Sequence, residues 1–222
     1  ETRPRDLAQI ISVSLAKEEI ISSVDIAGPG FINISLSEVC WHNLLSSVLL
    51  AGKNFGRSNM GSSQKVNVEF VSANPTGPLH VGHTRGAVFG DALASLLSYS
   101  GFEVTREYYI NDGGAQVDVL ARSIFLRYQE AFGRKVVFVD GTYPGDYLIP
   151  IAIELKEKVG DSYLNKSEDE WLPELRDYAV DAMMDLIRSD LDLLGIKMDT
   201  FFSEKSLYGS SQIEAALGRL RD

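Results

Sequence analysis

The stretch from Val66 to Ile110 limits the fold more than any other part of the sequence. Val66-Asn67-Val68-Glu69-Phe70-Val71 reads as a buried strand. A Pro/Gly loop from Ser72 to Leu79 follows. The pattern then turns helical from about Gly82 to Tyr99, with Val88, Ala92, Leu93, Leu96 and Leu97 apolar and Gly101 as the stop. Phe102 to Ile110 alternates as a second strand. A strand, loop, helix and strand of this size form a parallel pair joined by a crossover helix. Helical patterns at Gln116–Phe132, Leu148–Val159 and Trp171–Leu194 and a short strand at Asp199–Phe202 extend it, so the class is α/β.

The chain before this unit is of another kind. Arg5 to Ser22 carries Leu7, Ile10, Ile11, Leu15, Ile20 and Ile21 at helical spacing. Val24-Asp25-Ile26 and Phe31-Ile32-Asn33-Ile34 read as strands around a Gly28-Pro29-Gly30 turn. Ser37 caps a second helix with Trp41, Leu44, Leu45 and Val48 on one face. Together these predict a small α+β domain. Gly52 to Ser63 is rich in Gly and Ser and reads as a linker, dividing a domain at 1–62 from one at 63–222. The chain starts without Met and stops within a helical pattern that begins near Ser211. Truncation at both ends is the expectation.

Lys plus Arg number 21 against 31 Asp plus Glu in 222 residues, for a formal net charge of −10. A general basic nucleic-acid coat is excluded, though not a local basic groove. A single cysteine, Cys40, excludes a disulfide framework and a Cys-rich zinc site and fits a reducing cytoplasm. No apolar run approaches the roughly 18–20 residues that span a bilayer.

The chemistry concentrates in Ala73-Asn74-Pro75-Thr76-Gly77-Pro78-Leu79-His80-Val81-Gly82-His83. A strand ends, two prolines stiffen the loop, and a helix begins. The helix start offers free N–H groups and a positive dipole end, which suit a phosphate. His80 and His83, three residues apart, share one side of the first turn and can donate to triphosphate oxygens. Gly82, lacking Cβ, leaves room for a flat base. This spacing reads as an ATP site. The alternatives are a chance surface turn or a pair of metal ligands. The only further histidine is His42, and no metal site is expected.

Val68 to His83, followed by Arg85-Gly86-Ala87-Val88-Phe89-Gly90-Asp91, resembles the signature of bacterial-type arginyl-tRNA synthetases, whose class I "HIGH" motif takes the form His-x-Gly-His. Tyr108 to Gln116, Tyr143 to Leu148, Phe201 to Tyr208 and Ala27 to Asn33 resemble further blocks of that family in order. The resemblance implies a partial class I, Rossmann-like (HUP-type) nucleotide-binding domain preceded by part of a small, tRNA-contacting α+β domain. It implies an arginine–tRNA ligase that uses ATP with Mg2+, takes L-arginine and tRNA(Arg), activates arginine only with tRNA bound, touches no membrane and is a cytoplasmic monomer when intact. Nothing matches the family's "KMSKS" loop. The second half of the nucleotide fold and the anticodon-binding domain are also missing, so the piece is expected to be inactive alone.

By the same resemblance, Pro78, Leu79, His80, Gly82 and His83 would meet ATP, with His80 and His83 the catalytic pair. Glu69, Ser72 and Asn74 would hold the arginine backbone, Asn111 and Gln116 would line the pocket, and Glu204 would take the guanidinium. Plainer readings stand beside these. Glu69 also reads as a solvent-facing strand residue, Asn74 as a turn residue, Glu204 as a cap, and Asn111 to Gly114 as a turn. Arg85 and Asp91 read as a surface pair, Gly86 and Gly90 as points of close helix packing, and Ser167 to Glu170 as an acidic helix start. Two other functions share the motif: a nucleotidylyltransferase with a small phosphorylated acceptor, and a tRNA-binding module without catalysis.

Overall fold

The computed structural model describes residues 2–221 and divides into two compact units between Arg57 and Ser58. In the first unit, helix α1 (Pro4–Leu15) is followed by an antiparallel hairpin of β1 (Ile21–Ala27) and β2 (Phe31–Leu36) and by α2 (Glu38–Ala51). The expected first helix is cut short. Ile21 pairs with Leu36 in the hairpin, and sheet pairing overrides its helical spacing. The buried side of α1 is Ala8 and Ser12, while Leu7, Ile10 and Ile11 stay exposed. Small residues let the helix come close: a Cβ on Gly30 of the hairpin turn would stand 3.0 Å from the Pro4 carbonyl carbon. Ser37 is the N-cap residue of α2, but its hydroxyl donates to the Glu19 carbonyl instead of capping. Trp41, Leu44 and Leu45 on α2 are exposed and Val48 is half-buried.

The second unit holds β3 (Lys65–Glu69), α3 (Val81–Tyr99), β4 (Glu103–Ile110), α4 (Ala115–Ala131), α5 (Leu148–Val159), α6 (Glu168–Leu193), β5 (Thr200–Ser203) and α7 (Gln212–Arg221). The three strands form one parallel sheet in the order β3-β4-β5. The Gly/Ser stretch expected as a linker up to residue 62 belongs to this unit from Ser58 onward. The Ser58, Gly61 and Ser63 N–H groups donate to the Tyr99, Ser100 and Gly101 carbonyls at 3.1, 2.8 and 2.8 Å. Glycine permits that backbone approach: Gly101 has φ +89°, and a Cβ there would stand 2.8 Å from Asn59 Cα.

Helix α3 meets the sheet through small residues. Ala87, Gly90 and Ala94 are buried, whereas Val88, Leu93 and Leu96 face outward. A Cβ on Gly90 would come within 3.0 Å of Phe70, as the close-packing reading requires; Gly86 has open space instead. The pairing read for Asp91 is also corrected. Asp91 meets Arg106 of β4 at 3.1 Å, and six residues along a helix would put Arg85 on another face. Phe70, Tyr108, Ile110, Ile187, Leu191 and Ile196 form a core at the sheet. A second core joins α4, α5 and α6 through Leu120, Ile124, Leu155, Leu175 and Met183, with Phe125 stacked on Trp171 at 4.0 Å. Helix α6 opens on the expected acidic turn. Glu170 accepts from the Ser167 N–H and hydroxyl at 2.8 and 2.7 Å, and these bonds lower its carboxyl below the usual range. No helix among the described residues is long and apolar enough to cross a membrane.

Candidate functional site

Parallel sheets place ligands at the carboxyl ends of their strands, where connections leave for the helices. Three such ends converge here. Strand β3 ends at Glu69 and runs through Asn74 to His80. Strand β4 ends at Ile110 and continues into Asn111 and Asp112. Strand β5 ends at Ser203 and leads to Glu204.

The exit from β3 is strained. Val71 and Ser72 have φ of +68° and +41°, a left-handed region that a β-branched valine rarely enters. Several bonds hold the conformation. The Ser72 hydroxyl donates to the Glu69 carboxylate and accepts from the Tyr109 N–H at 3.0 Å. The Ser72 N–H donates to the Phe70 carbonyl at 3.0 Å.

Past this bend, Asn74 is held at both ends of its amide. Its Oδ1 accepts from Asn111 Nδ2 at 3.1 Å, and its Nδ2 donates to Gln116 Oε1 at 2.8 Å. The loop then meets three side chains from elsewhere. Tyr108 donates its hydroxyl to the Ala73 carbonyl at 2.8 Å, and Tyr147 donates to the Thr76 carbonyl at 2.7 Å. Asp190 accepts from the Leu79 N–H at 3.0 Å. Leu79 packs partly into the core beside the sheet.

His80 is the N-cap residue of α3. Its Nδ1 accepts from the Gly82 N–H at 3.1 Å, and His83 Nδ1 accepts from the His80 N–H at 3.4 Å. Both imidazoles therefore carry their N–H on Nε2. The rings stack with centroids 3.7 Å apart and 16° between planes. Burial, and then the neighbouring His80, hold His83 below the ordinary imidazole value, so it is neutral near pH 7. A Cβ on Gly82 would stand 3.0 Å from the His80 ring, so this glycine lets the ring fold back over the helix start.

An open cleft of about 420 Å³ is lined by Asn74, Thr76, Gly77, Pro78, His80, His83, Gln116 and Tyr143. It thus joins the histidine pair to the amides of Asn74 and Gln116, with Asn111 behind Asn74. Glu69, Ser72 and Glu204 lie outside that lining, at the ends of their strands. Glu204 accepts from the Tyr208 hydroxyl at 3.0 Å. Burial and then the Glu204 carboxylate raise Tyr109 above its ordinary value; for Tyr208 the Glu204 hydrogen bond is the leading cause. Asp112 brackets Glu204 by accepting from the Ser203 hydroxyl at 2.5 Å and the Lys205 N–H at 2.8 Å. Gly113 admits the Tyr208 ring, which would stand 2.6 Å from a Cβ there.

Sequence reasoning did not single out Asp112, Tyr208 or Asp190. The one signal for Asp190 is an acidic residue in the last turn of a helix, where the dipole disfavours it. Among the described residues, no group of three or more His, Cys, Asp or Glu side chains is placed to hold a metal ion.

The family model for the arginyl-tRNA synthetase N-terminal domain matches residues 1–36, and the model for the catalytic domain of class I synthetases for arginine matches 44–143. The arginine–tRNA ligase of Roseobacter denitrificans is 63% identical over 219 residues, which are 99% of this chain and 38% of that protein. The chain belongs to the arginyl-tRNA synthetase family. It spans 38% of the length of the curated relatives it matches. A crystal structure of an arginyl-tRNA synthetase homologue from Campylobacter jejuni, 37% identical, matches 84% of the chain and 40% of its own with a TM-score of 0.76. The Thermus thermophilus arginyl-tRNA synthetase, 24% identical over 99% of this chain and 36% of its own, shares the fold with a TM-score of 0.60. The parallel sheet and its helices are thus a part of the class I synthetase catalytic fold, behind an arginyl-tRNA synthetase N-terminal domain.

Proposed function

We propose that the protein to which this chain belongs joins arginine to tRNA(Arg) in two steps at the cleft between β3 and α3. A carboxylate oxygen of arginine attacks the α-phosphorus of ATP, the bond to pyrophosphate breaks, and arginyl-adenylate forms. A ribose hydroxyl of the tRNA end then attacks the arginyl carbonyl and AMP leaves.

The observation that carries this reading is the shared lining of one cleft by the His80–His83 pair and the amides of Asn74 and Gln116. The two Nε2–H groups stand at the start of α3, where phosphate charge is best met. As negative charge builds on the α-phosphate, the two imidazoles donate to its oxygens, which is electrostatic stabilisation without proton transfer. Pro78 shapes the wall for the nucleotide, while Leu79, packed partly into the core, and Gly82, which makes room for the His80 ring, act by setting the course of the backbone. Asn74, with Ser72 and Glu69 before it, holds the amino-acid backbone: amides meet its carboxylate, and a carboxylate meets its ammonium. Asn111 and Gln116 fix Asn74. Glu204 meets the guanidinium fork, for which a carboxylate is the matching acceptor. The cleft lining carries no carboxylate, so Mg2+ would arrive on the triphosphate and neutralise its charge there.

In this reading the unit that ends at Arg57 is part of the tRNA-contacting domain, and the unit from Ser58 onward is the first part of the catalytic domain of a cytoplasmic, monomeric enzyme. The test is aminoacylation by the intact protein with ATP, Mg2+ and total tRNA across all amino acids. Charging with arginine alone is expected. Preferential charging with another amino acid, or adenylylation of a small phosphorylated acceptor without tRNA, would overturn it.

A further inference from the structure

We propose that Asp190, assisted by Tyr147, is a positioning residue that sets the His80–His83 pair against the cleft; the proposal rests on the function just described.

The loop before α3 is fastened at regular intervals. Ala73, Thr76 and Leu79, each three residues apart, are held by Tyr108, Tyr147 and Asp190. Pro75 and Pro78 stiffen the segments between these points and have no N–H to donate. A stiff segment fastened three times moves as one body, so its last anchor decides where the next residue lies. That residue is His80, whose ring stacks on His83.

The last anchor comes from far away. Asp190 lies in the final turn of α6, 111 residues along the chain from Leu79. Carboxylates are disfavoured at that end of a helix, and the last turn of α6 has no basic residue to offset them. The Asp190 carboxylate instead answers the Leu79 N–H, one residue before the N-cap of α3, at the positive end of that helix. Tyr147 precedes α5 and covers Gly77, where a Cβ would stand 3.3 Å from its ring. Both fastenings therefore come from the helical layer of α5 and α6, outside the strand–helix–strand unit that carries the histidines. Misplacing donors by about 1 Å is enough to cost roughly a hundredfold in rate without weakening ground-state binding.

The test compares the intact protein with its Asp190→Ala, Asp190→Asn and Tyr147→Phe variants. Two readouts are taken: arginine- and tRNA-dependent ATP–pyrophosphate exchange, and amide hydrogen exchange over residues 76–83. Asp190→Ala is expected to lower kcat about 10- to 100-fold, with KM for ATP and arginine within about threefold. It should also speed amide exchange over 76–83 about tenfold or more. Asp190→Asn, whose carbonyl can accept the same N–H, should recover most of both. Tyr147→Phe should act in the same direction with a smaller effect. A kcat within twofold of the parent in Asp190→Ala, an Asn variant as poor as Ala, or unchanged amide exchange would overturn the proposal. A parent protein with no arginine-dependent exchange would overturn the proposed function, and the amide-exchange comparison would still decide whether Asp190 holds the loop.

Discussion

Asn74 donates to Gln116 across 42 residues of chain, and the same amide accepts from Asn111, so neither end is free to turn. A group fixed in this way presents one face to the cleft. Replacing it removes two hydrogen bonds and the orientation they enforce. Asn74→Ala should raise KM for arginine by about 10- to 100-fold, from roughly 1.5–3 kcal/mol for the proposed amide bond to the charged carboxylate of arginine. The nucleotide KM should change little. Steady-state exchange kinetics with each substrate varied separately read the split.

Glu204 is the carboxylate assigned to the guanidinium, bracketed by the two bonds that Asp112 makes to Ser203 and Lys205. Glu204→Gln keeps the shape and removes the charge. A charged hydrogen bond is worth about 1.5–3 kcal/mol, so arginine should bind roughly 10- to 100-fold more weakly. The uncharged analogue citrulline should compete with arginine better in the variant than in the parent. Equal competition in both would remove Glu204 from the guanidinium site.

Gly90 sits where α3 crosses Phe70. Alanine is the better helix former by about 0.8–1.0 kcal/mol, so an open site would be stabilised. Here the added Cβ would come within 3.0 Å of the ring and of Phe70 Cβ. Overpacking of this kind costs about 1–3 kcal/mol, and Gly90→Ala should come out net destabilised. A lower thermal midpoint is expected; a raised one would mean that α3 can lift off the sheet at little cost.

Burial drives Tyr108 up to about 12, against the partly offsetting bond to Ala73; Tyr163 and Tyr178 are likewise raised to about 12, with burial the leading cause. Each holds its proton more tightly folded than unfolded, where the ordinary value is 10.0. Their contribution to stability is whole below pH 10 and is lost as the pH rises through about 12. In a difference titration of tyrosinate absorbance, Tyr108→Phe should remove ionisation only from the high-pH part, coincident with loss of helical circular dichroism. A difference centred near pH 10 with the fold intact would contradict the burial of Tyr108.

The strand, loop, helix and strand were legible because the apolar period changes at residues that also break chain direction, Pro75, Pro78 and Gly101. Helix α5 runs from Leu148 to Val159 as its spacing predicts. The misreadings share a cause. Spacing finds large apolar residues, yet α1 and α3 bury alanine, serine and glycine because those permit close approach, and leave Leu7, Ile10, Val88 and Leu96 outside. Ile21 fits a helix by spacing and a strand by partner, and only Leu36 decides between them. At the site, the stacked histidines follow from their three-residue spacing at a helix start. The grouping of Asn74 with Asn111 and Gln116 came from family resemblance, since nothing local in the sequence links positions so far apart. Asp112 and Asp190 were illegible for the same reason: each is an ordinary acidic residue until its distant backbone partner is known.

In the proposed function, His80 and His83 are the donors to phosphate. The most direct measurement is arginine- and tRNA-dependent ATP–pyrophosphate exchange by the intact protein before and after His80→Ala and His83→Ala. Exchange in the parent should require arginine and tRNA together. Each substitution should lower kcat by about 10²- to 10³-fold, as loss of one charge-stabilising donor does, while KM for arginine stays near the parent value. Exchange that survives both substitutions within a few-fold, or a parent that exchanges with a different amino acid, would contradict the account.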